Sequence, residues 1–276
     1  MTTPTFEQSG LHNRNPLYQL RHVTNLKVIA MGDSSVFGVG DHGDTIPSVG
    51  AGWAGRLAHD LGAARFINVA KNGSRARDLV KHQLSAAQAL DPELVLICIG
   101  TNDVLRGDFS PEEIRESLFK VIEMLDNSKT LIVLLGLPNP MRTAPGPIVL
   151  RKILCARVAI INEIYSEIAD KGLALFVPTW DSKIAHEKRL WHIDRMHPSP
   201  QGHQLIADLV RRKMELPRRS RKKLATKIDV TKSKETKWLL INGTKWFVKR
   251  SVDLIPALIW LIVSEKIRQI KKGTTN

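Results

Sequence analysis

Up to about residue 214 the chain alternates short apolar runs with longer stretches whose apolar positions recur at helical spacing. The runs Leu26–Met31, Arg65–Val69, Leu94–Ile99, Thr130–Leu135 and Leu173–Val177 predict strands. They are continuously apolar rather than alternating, the pattern of parallel strands covered on both faces. The stretches between them predict helices at about Gly52–Leu61, Ala76–Leu90, Pro111–Leu125 and Leu150–Lys171, with a last one near Ser199–Met214. The third helix opens on "SPEE", a serine cap with proline at the first helical position. Five such units predict an α/β fold, a three-layer α/β/α domain around a doubly wound five-stranded parallel sheet. Right-handed crossovers make a flavodoxin-like strand order the expectation.

The texture changes after Met214. "ELPRRSRKKLATKIDVTKSKETK" has few apolar residues and many Lys and Arg, and reads as a solvated linker. Beyond it, "WLLINGTKWFVKRSVDLIPALIWLIVSEKIRQIKK" predicts a basic helical extension, with Ser251 or Asp253 as cap and Pro256 in the first turn. Its apolar core, Leu254–Val263, makes about 15 Å of helix, roughly half of a bilayer core, and is too short to span one. The expected divisions are an N-terminal arm over 1–25, the α/β domain over 26–214, a basic linker over 215–236 and a basic, aromatic, amphipathic extension over 237–276. The N-terminal arm has no positively charged start followed by an apolar run, so no signal peptide is expected and a cytoplasmic placement is.

Charge sharpens this division. The net charge is +14, but residues 1–210 hold 22 Lys+Arg against 22 Asp+Glu, whereas 211–276 hold 19 against 5. The basic character therefore belongs to the tail. Clustered Trp238, Trp246, Phe247 and Trp260 beside that charge fit an anionic membrane surface, with the protein peripheral on the inner face of the membrane. A helix packed back on the domain is the second reading, and nucleic acid, which basic charge alone does not specify, is a distant third. Cys98 and Cys155, both in apolar surroundings, are expected to be buried thiols in a reducing compartment. Two cysteines are too few for a structural zinc site, and neither metal nor cofactor is expected.

The candidate chemistry begins at "VIAMGDSSVFGVG", residues 28–40, which could be an ordinary turn, a phosphate-cradling loop or a serine nucleophile on a tight bend. A phosphate loop would need a further spaced glycine and a Lys-Ser/Thr pair, and neither follows. In a doubly wound sheet, the loops after the strands share one edge, where ligands bind. After the first strand comes "GDSS", after the second "NVAKNGS", after the third "GTND", and before the last helix "DRMHPSPQGH". These types fit acyl transfer through a serine. A hydroxyl needs a base, which His197 can be. Asp194, three residues earlier, can hold that imidazole and stabilise its charged form. The oxyanion needs donors, for which the Gly73 N–H, the Asn102 amide and the Ser34 N–H are candidates.

These four blocks resemble those of the SGNH hydrolase superfamily, the GDSL-type esterases and lipases, which are marked by a Ser, a Gly, an Asn and a His. Here they stand in order as "GDSS" with Ser34, "NGS" with Gly73, "GTND" with Asn102 and "DRMHP" with Asp194 and His197. The resemblance covers about residues 26–214 and does not extend to the tail. It implies Ser34 rather than Ser35 as nucleophile, a triad completed by Asp194 and His197, no metal, and an ester or acyl group as substrate.

The remaining candidates have plainer readings. Asp33 is expected to hold the turn, and Asp103 to be structural. His192 and His203 compete formally with His197, but neither follows a carboxylate by three residues, and His203 is expected on a helix surface. Trp53 and Trp191 are core or rim aromatics by default and could line an acyl pocket. Hydrolysis of a lipid or acylated-sugar ester is the leading expectation. An acyltransferase using the same residues is the alternative, and a non-catalytic membrane-associated scaffold is the second.

Overall fold

A computed structural model describes residues 20, 23–41, 51–126, 129–143, 148–192, 194, 196–220, 259, 260 and 263. The strands are β1 (Lys27–Gly32), β2 (Arg65–Asn68), β3 (Leu94–Cys98), β4 (Leu131–Leu135) and β5 (Leu175–Val177), each within a residue or two of its apolar run. All pair in parallel in the order β2-β1-β3-β4-β5, the expected flavodoxin-like order. The central strands β3 and β4 are buried along their whole length, while edge strand β2 is not. Position in the sheet thus explains why Leu94–Cys98 is wholly aliphatic apart from its thiol.

Helices follow the strands: α1 (Ser34–Phe37), α2 (Gly52–Asp60), α3 (Ala76–Asp78), α4 (Leu84–Leu90), α5 (Thr101–Val104), α6 (Pro111–Leu125), α7 (Pro140–Thr143), α8 (Ile148–Asp170), α9 (Lys183–His186) and α10 (Pro200–Lys213). The Ser110 side chain accepts from the Glu113 N–H at the head of α6, and the Ser199 side chain from the Gly202 N–H at the head of α10. Each thereby satisfies an amide that has no partner within the helix. Helices α2 and α10 pack together on one face of the sheet, and α3, α4, α6 and α8 on the other.

The stretch expected as one helix over 76–90 is interrupted by a π-helical segment, Leu79–Gln83, between α3 and α4. It delivers the fully buried Gln83 to the end of β1. There the amide accepts from the Gly32 N–H at 2.7 Å and donates to the Gly32 carbonyl at 3.0 Å. Gly32 itself has φ +143°, and a Cβ there would lie 2.1 Å from the Cys98 carbonyl oxygen. Only glycine lets β1 turn this close to β3.

Packing continues a few residues past Met214. Leu216 is buried, Arg218 pairs with Asp60 and Asp208, and Arg219 donates to the carbonyls of Leu20 and Val23. Residues 221–258, which hold most of the expected linker, the predicted cap and Pro256, lie outside the described residues. Both cysteines are free thiols; Cys98 is buried, but Cys155 is only partly so, since α8 turns it toward Asn139 rather than the core.

Candidate active site

Asp33 is the N-cap of α1. Its Oδ1 accepts from the Ser35 N–H at 2.9 Å and from the Ser35 hydroxyl at 2.8 Å. Burial pushes this carboxyl above the ordinary range, and the two Ser35 bonds and the nearby His197 oppose that. The Asx turn commits the Ser35 hydroxyl to Asp33. The Ser34 Oγ lies 2.8 Å from His197 Nε2.

His197 and Asp194 lie in a loop closed at its base by the Trp191–Pro198 bridge and by the His192 N–H donating to the His197 carbonyl at 2.7 Å. Within it Asp194 Oδ1 accepts from the N–H groups of Met196 and His197, and Oδ2 lies 2.7 Å from His197 Nδ1. An ionised carboxylate can only accept, so Nδ1 carries the proton and Nε2 is the acceptor for the Ser34 hydroxyl. Burial alone would raise the Asp194 carboxyl. The hydrogen bonds and charge of His192 and His197 outweigh it and hold the group well below the usual carboxylate range.

Two of the three candidate oxyanion donors, Gly73 and Asn102, meet at the Gly73–Ser74 turn. Gly73 turns with φ +87°, and nothing lies within 4 Å of where a Cβ would stand, so the requirement there is conformational and its face is open. Asn102, in α5, donates from Nδ2 to the Ser74 carbonyl at 3.0 Å. A primary amide has two N–H groups, so this bond fixes Asn102 beside the Gly73–Ser74 turn and leaves a second donor for an oxyanion. Arg75 reinforces the arrangement, donating to Asp103 at 3.2 Å and Asp108 at 2.8 Å, while Asp103 also accepts from the Ala76 N–H. Asp103 is 1% exposed and has the structural role expected of it.

Two histidines differ from the sequence reading. His203 is not on a helix surface but fully buried, because the first turn of α10 faces α2. Its Nδ1 accepts from the Trp53 N–H at 3.0 Å, and Nε2 donates to the Val39 carbonyl at 2.9 Å. His192 has no carboxylate three residues before it in sequence, yet its Nδ1 lies 3.4 Å from Asp194 Oδ2. Gln83 was also missed, although the apolar spacing Ala76, Leu79, Leu84, Ala87 places it on the buried face of its helix. Beside the site is an apolar cavity whose lining includes both Trp53 and Trp191.

Residues 30–205 match the GDSL-like Lipase/Acylhydrolase family, and the chain belongs to it. An arylesterase from Vibrio mimicus is 27% identical over 143 residues, which are 50% of this chain and 66% of that protein, so the match spans just under two thirds of that relative. Among solved structures, an acetylxylan esterase from Geobacillus stearothermophilus superposes with a TM-score of 0.57 at 21% identity, covering 71% of this chain and 97% of that one. A lipase from a goat rumen metagenome gives 0.53 at 19% identity, with 68% and 97% covered. These likenesses share the three-layer fold described above.

Proposed function

We propose that this protein is a serine-dependent carboxylic ester hydrolase that works through an acyl-enzyme. One observation carries the reading: the unbroken line from the Ser34 hydroxyl through His197 to Asp194, with contacts of 2.8 and 2.7 Å. Ser34 Oγ attacks the ester carbonyl carbon while its proton passes to His197 Nε2. The resulting oxyanion accepts from the N–H of Gly73, the Asn102 amide and the Ser34 N–H, each such donor being worth about 3–4 kcal/mol of barrier. Collapse breaks the bond to the alcohol, which leaves with the proton from His197. Water then gives a proton to His197 and its oxygen to the acyl carbon, and the acid departs as Ser34 regains its proton. Asp194 holds the imidazole in the tautomer this needs and stabilises its charged form. In the Geobacillus acetylxylan esterase, replacements of a serine, an aspartate and a histidine are each catalytic mutants, the last two three positions apart, the spacing of Asp194 and His197. Wild-type protein should release p-nitrophenol from p-nitrophenyl acetate with a pre-steady-state burst, and S34A should show neither burst nor turnover above background. Equal turnover by S34A would reject the reading.

We also read the C-terminal extension as a contact for an anionic lipid surface. Ile259, Trp260 and Val263 are exposed, the Trp260 ring lies against Gly107, and the surrounding sequence supplies the positive charge. Exposed Ile148 and Val149 adjoin Leu150, which lines the cavity.

A further inference from the structure

The cavity beside the site has a volume of about 240 Å³ and a lining that is almost wholly apolar. One wall is the end of β4 and the turn after it, Leu135 to Leu137. A second is one face of α8, with Leu150, Leu154 and Val158, and Ile184 of α9 and Ile206 of α10 contribute a third. The wall nearest the chemistry is Ser35, Thr101, Met196 and Pro198, the chain neighbours of Ser34, Asn102 and His197. Polar groups in the lining are largely occupied within the protein. The Ser35 hydroxyl bonds Asp33, the Thr143 hydroxyl bonds the Asn139 carbonyl, the Thr179 hydroxyl bonds the Gly136 carbonyl, and the Trp191 indole N–H bonds the Ile184 carbonyl.

We infer that this cavity is an acyl-chain site that selects straight aliphatic acids of medium length, with Leu154 a determinant of that length. The inference rests on the acyl-enzyme reading above. A sugar or another polyhydroxylated group entering the cavity would leave its hydroxyls unpaired, whereas an alkyl chain loses nothing there. The acyl part, not the alcohol, is assigned to it because of the order of events. The alcohol must leave before water attacks, and it takes its proton from His197. The acyl group stays bonded to Ser34 through both steps, so a recess walled by the chain neighbours of Ser34 and His197 serves the group that remains. Capacity sets the length: at roughly 30 Å³ for a water-sized group, the cavity holds about eight methylene-sized units.

The test uses the full chain and two mirrored ester series. One varies the acyl chain from two to fourteen carbons on p-nitrophenol; the other varies a straight-chain alcohol on acetate. In the first, kcat/KM should rise about fourfold per added methylene, the factor that corresponds to burying one, and turn over near eight carbons. The second should be flatter. Leu154→Trp should lower the octanoyl-to-acetyl ratio of kcat/KM at least tenfold, and Leu154→Ala should move the maximum to longer chains. Leu154→Phe replaces the Trp variant if thermal unfolding shows that variant misfolded. A maximum at acetyl, a dependence on alcohol length alone, or a profile unmoved in folded Leu154 variants would overturn the inference. Activity that is Ser34-dependent with a flat acyl profile rejects the cavity assignment alone; activity that survives in S34A rejects the esterase reading beneath it.

Discussion

His192 and His197 address the same carboxylate oxygen: Nδ1 of His192 lies 3.4 Å from Asp194 Oδ2, and Nδ1 of His197 lies 2.7 Å from it. The shorter contact belongs to the imidazole that reaches Ser34. The Asp194 carboxylate is thus held by two backbone N–H groups and the His197 ring, with His192 close by, which is why it stays ionised although largely buried.

His192 therefore acts by positioning. Loss of a polar contact of 3.4 Å to a carboxylate costs about 1 kcal/mol, so His192→Ala should lower kcat about fivefold with KM little changed. His192→Gln, which keeps a donor, should recover most of that loss. Steady-state kinetics on a single ester checks both, and a change confined to KM would place His192 in substrate binding instead.

The two serines of "GDSS" should separate cleanly. Ser34→Ala should lower kcat by about 10³-fold or more. Ser35→Ala should keep activity within about tenfold but destabilise the fold by about 1 kcal/mol, because Asp33 loses its hydroxyl partner. Parallel activity and denaturant-unfolding measurements on the two variants decide this. A larger activity loss in Ser35→Ala than in Ser34→Ala would reverse the assignment.

Asp194→Asn tests the tautomer. An amide can donate to Nδ1, which moves the imidazole proton to Nε2 and leaves Ser34 without a base, and kcat should fall about 10⁴-fold while the fold is kept. Circular dichroism with kinetics is sufficient, and a loss under tenfold would show that the carboxylate is dispensable.

Gln83 should matter more than its distance from the chemistry suggests. Gln83→Leu leaves the buried Gly32 N–H and carbonyl without their side-chain partner, at a cost of about 2–3 kcal/mol in unfolding free energy. Because Gly32 immediately precedes the Asp33 cap, kcat should fall as well. Unfolding within about 0.5 kcal/mol of wild type would contradict this account of the π segment.

Burial lowers His203 from an ordinary 6.5 to about 4; the charge of Asp41 and the bond to the Val39 carbonyl oppose this, while Arg56 and His197 add to it. Below about pH 6.5 the unfolded chain therefore takes up a proton that the folded chain refuses until about pH 4. Stability should fall through that window as pH drops, by about 3 kcal/mol from this group. Asp194, whose carboxyl is held low, loses its contribution only at still lower pH. Denaturant unfolding between pH 4 and 7 should show a shallower slope in His203→Gln than in wild type, and equal slopes would refute it.

The sheet was legible because each strand is a compact apolar run, and the order followed from crossover handedness. The four polar blocks pointed to one edge; Ser34 and His197 are in contact and Asp194 holds the ring, while Asn102 bonds the Ser74 carbonyl beside Gly73. Less legible were features that need the third dimension. Leu79–Gln83 has ordinary helical spacing, and only the demand of the Gly32 backbone for a partner explains its π turn. His203 looks like a polar residue on a helix, yet two backbone groups from α2 and Val39 need its two nitrogens. The contact of His192 with Asp194 depends on the loop closing at Trp191 and Pro198. The cavity is assembled from many separate elements, and what sets Leu150 and Leu154 apart from other helical leucines is that they face it.

The proposal that Ser34 is the nucleophile is tested most directly by labelling the intact protein with a fluorophosphonate and mapping the adduct by peptide mass. The account predicts a single adduct on the peptide carrying Ser34, absent in Ser34→Ala and formed far more slowly in His197→Ala. An adduct on another residue, or labelling that persists at the wild-type rate in His197→Ala, would contradict it.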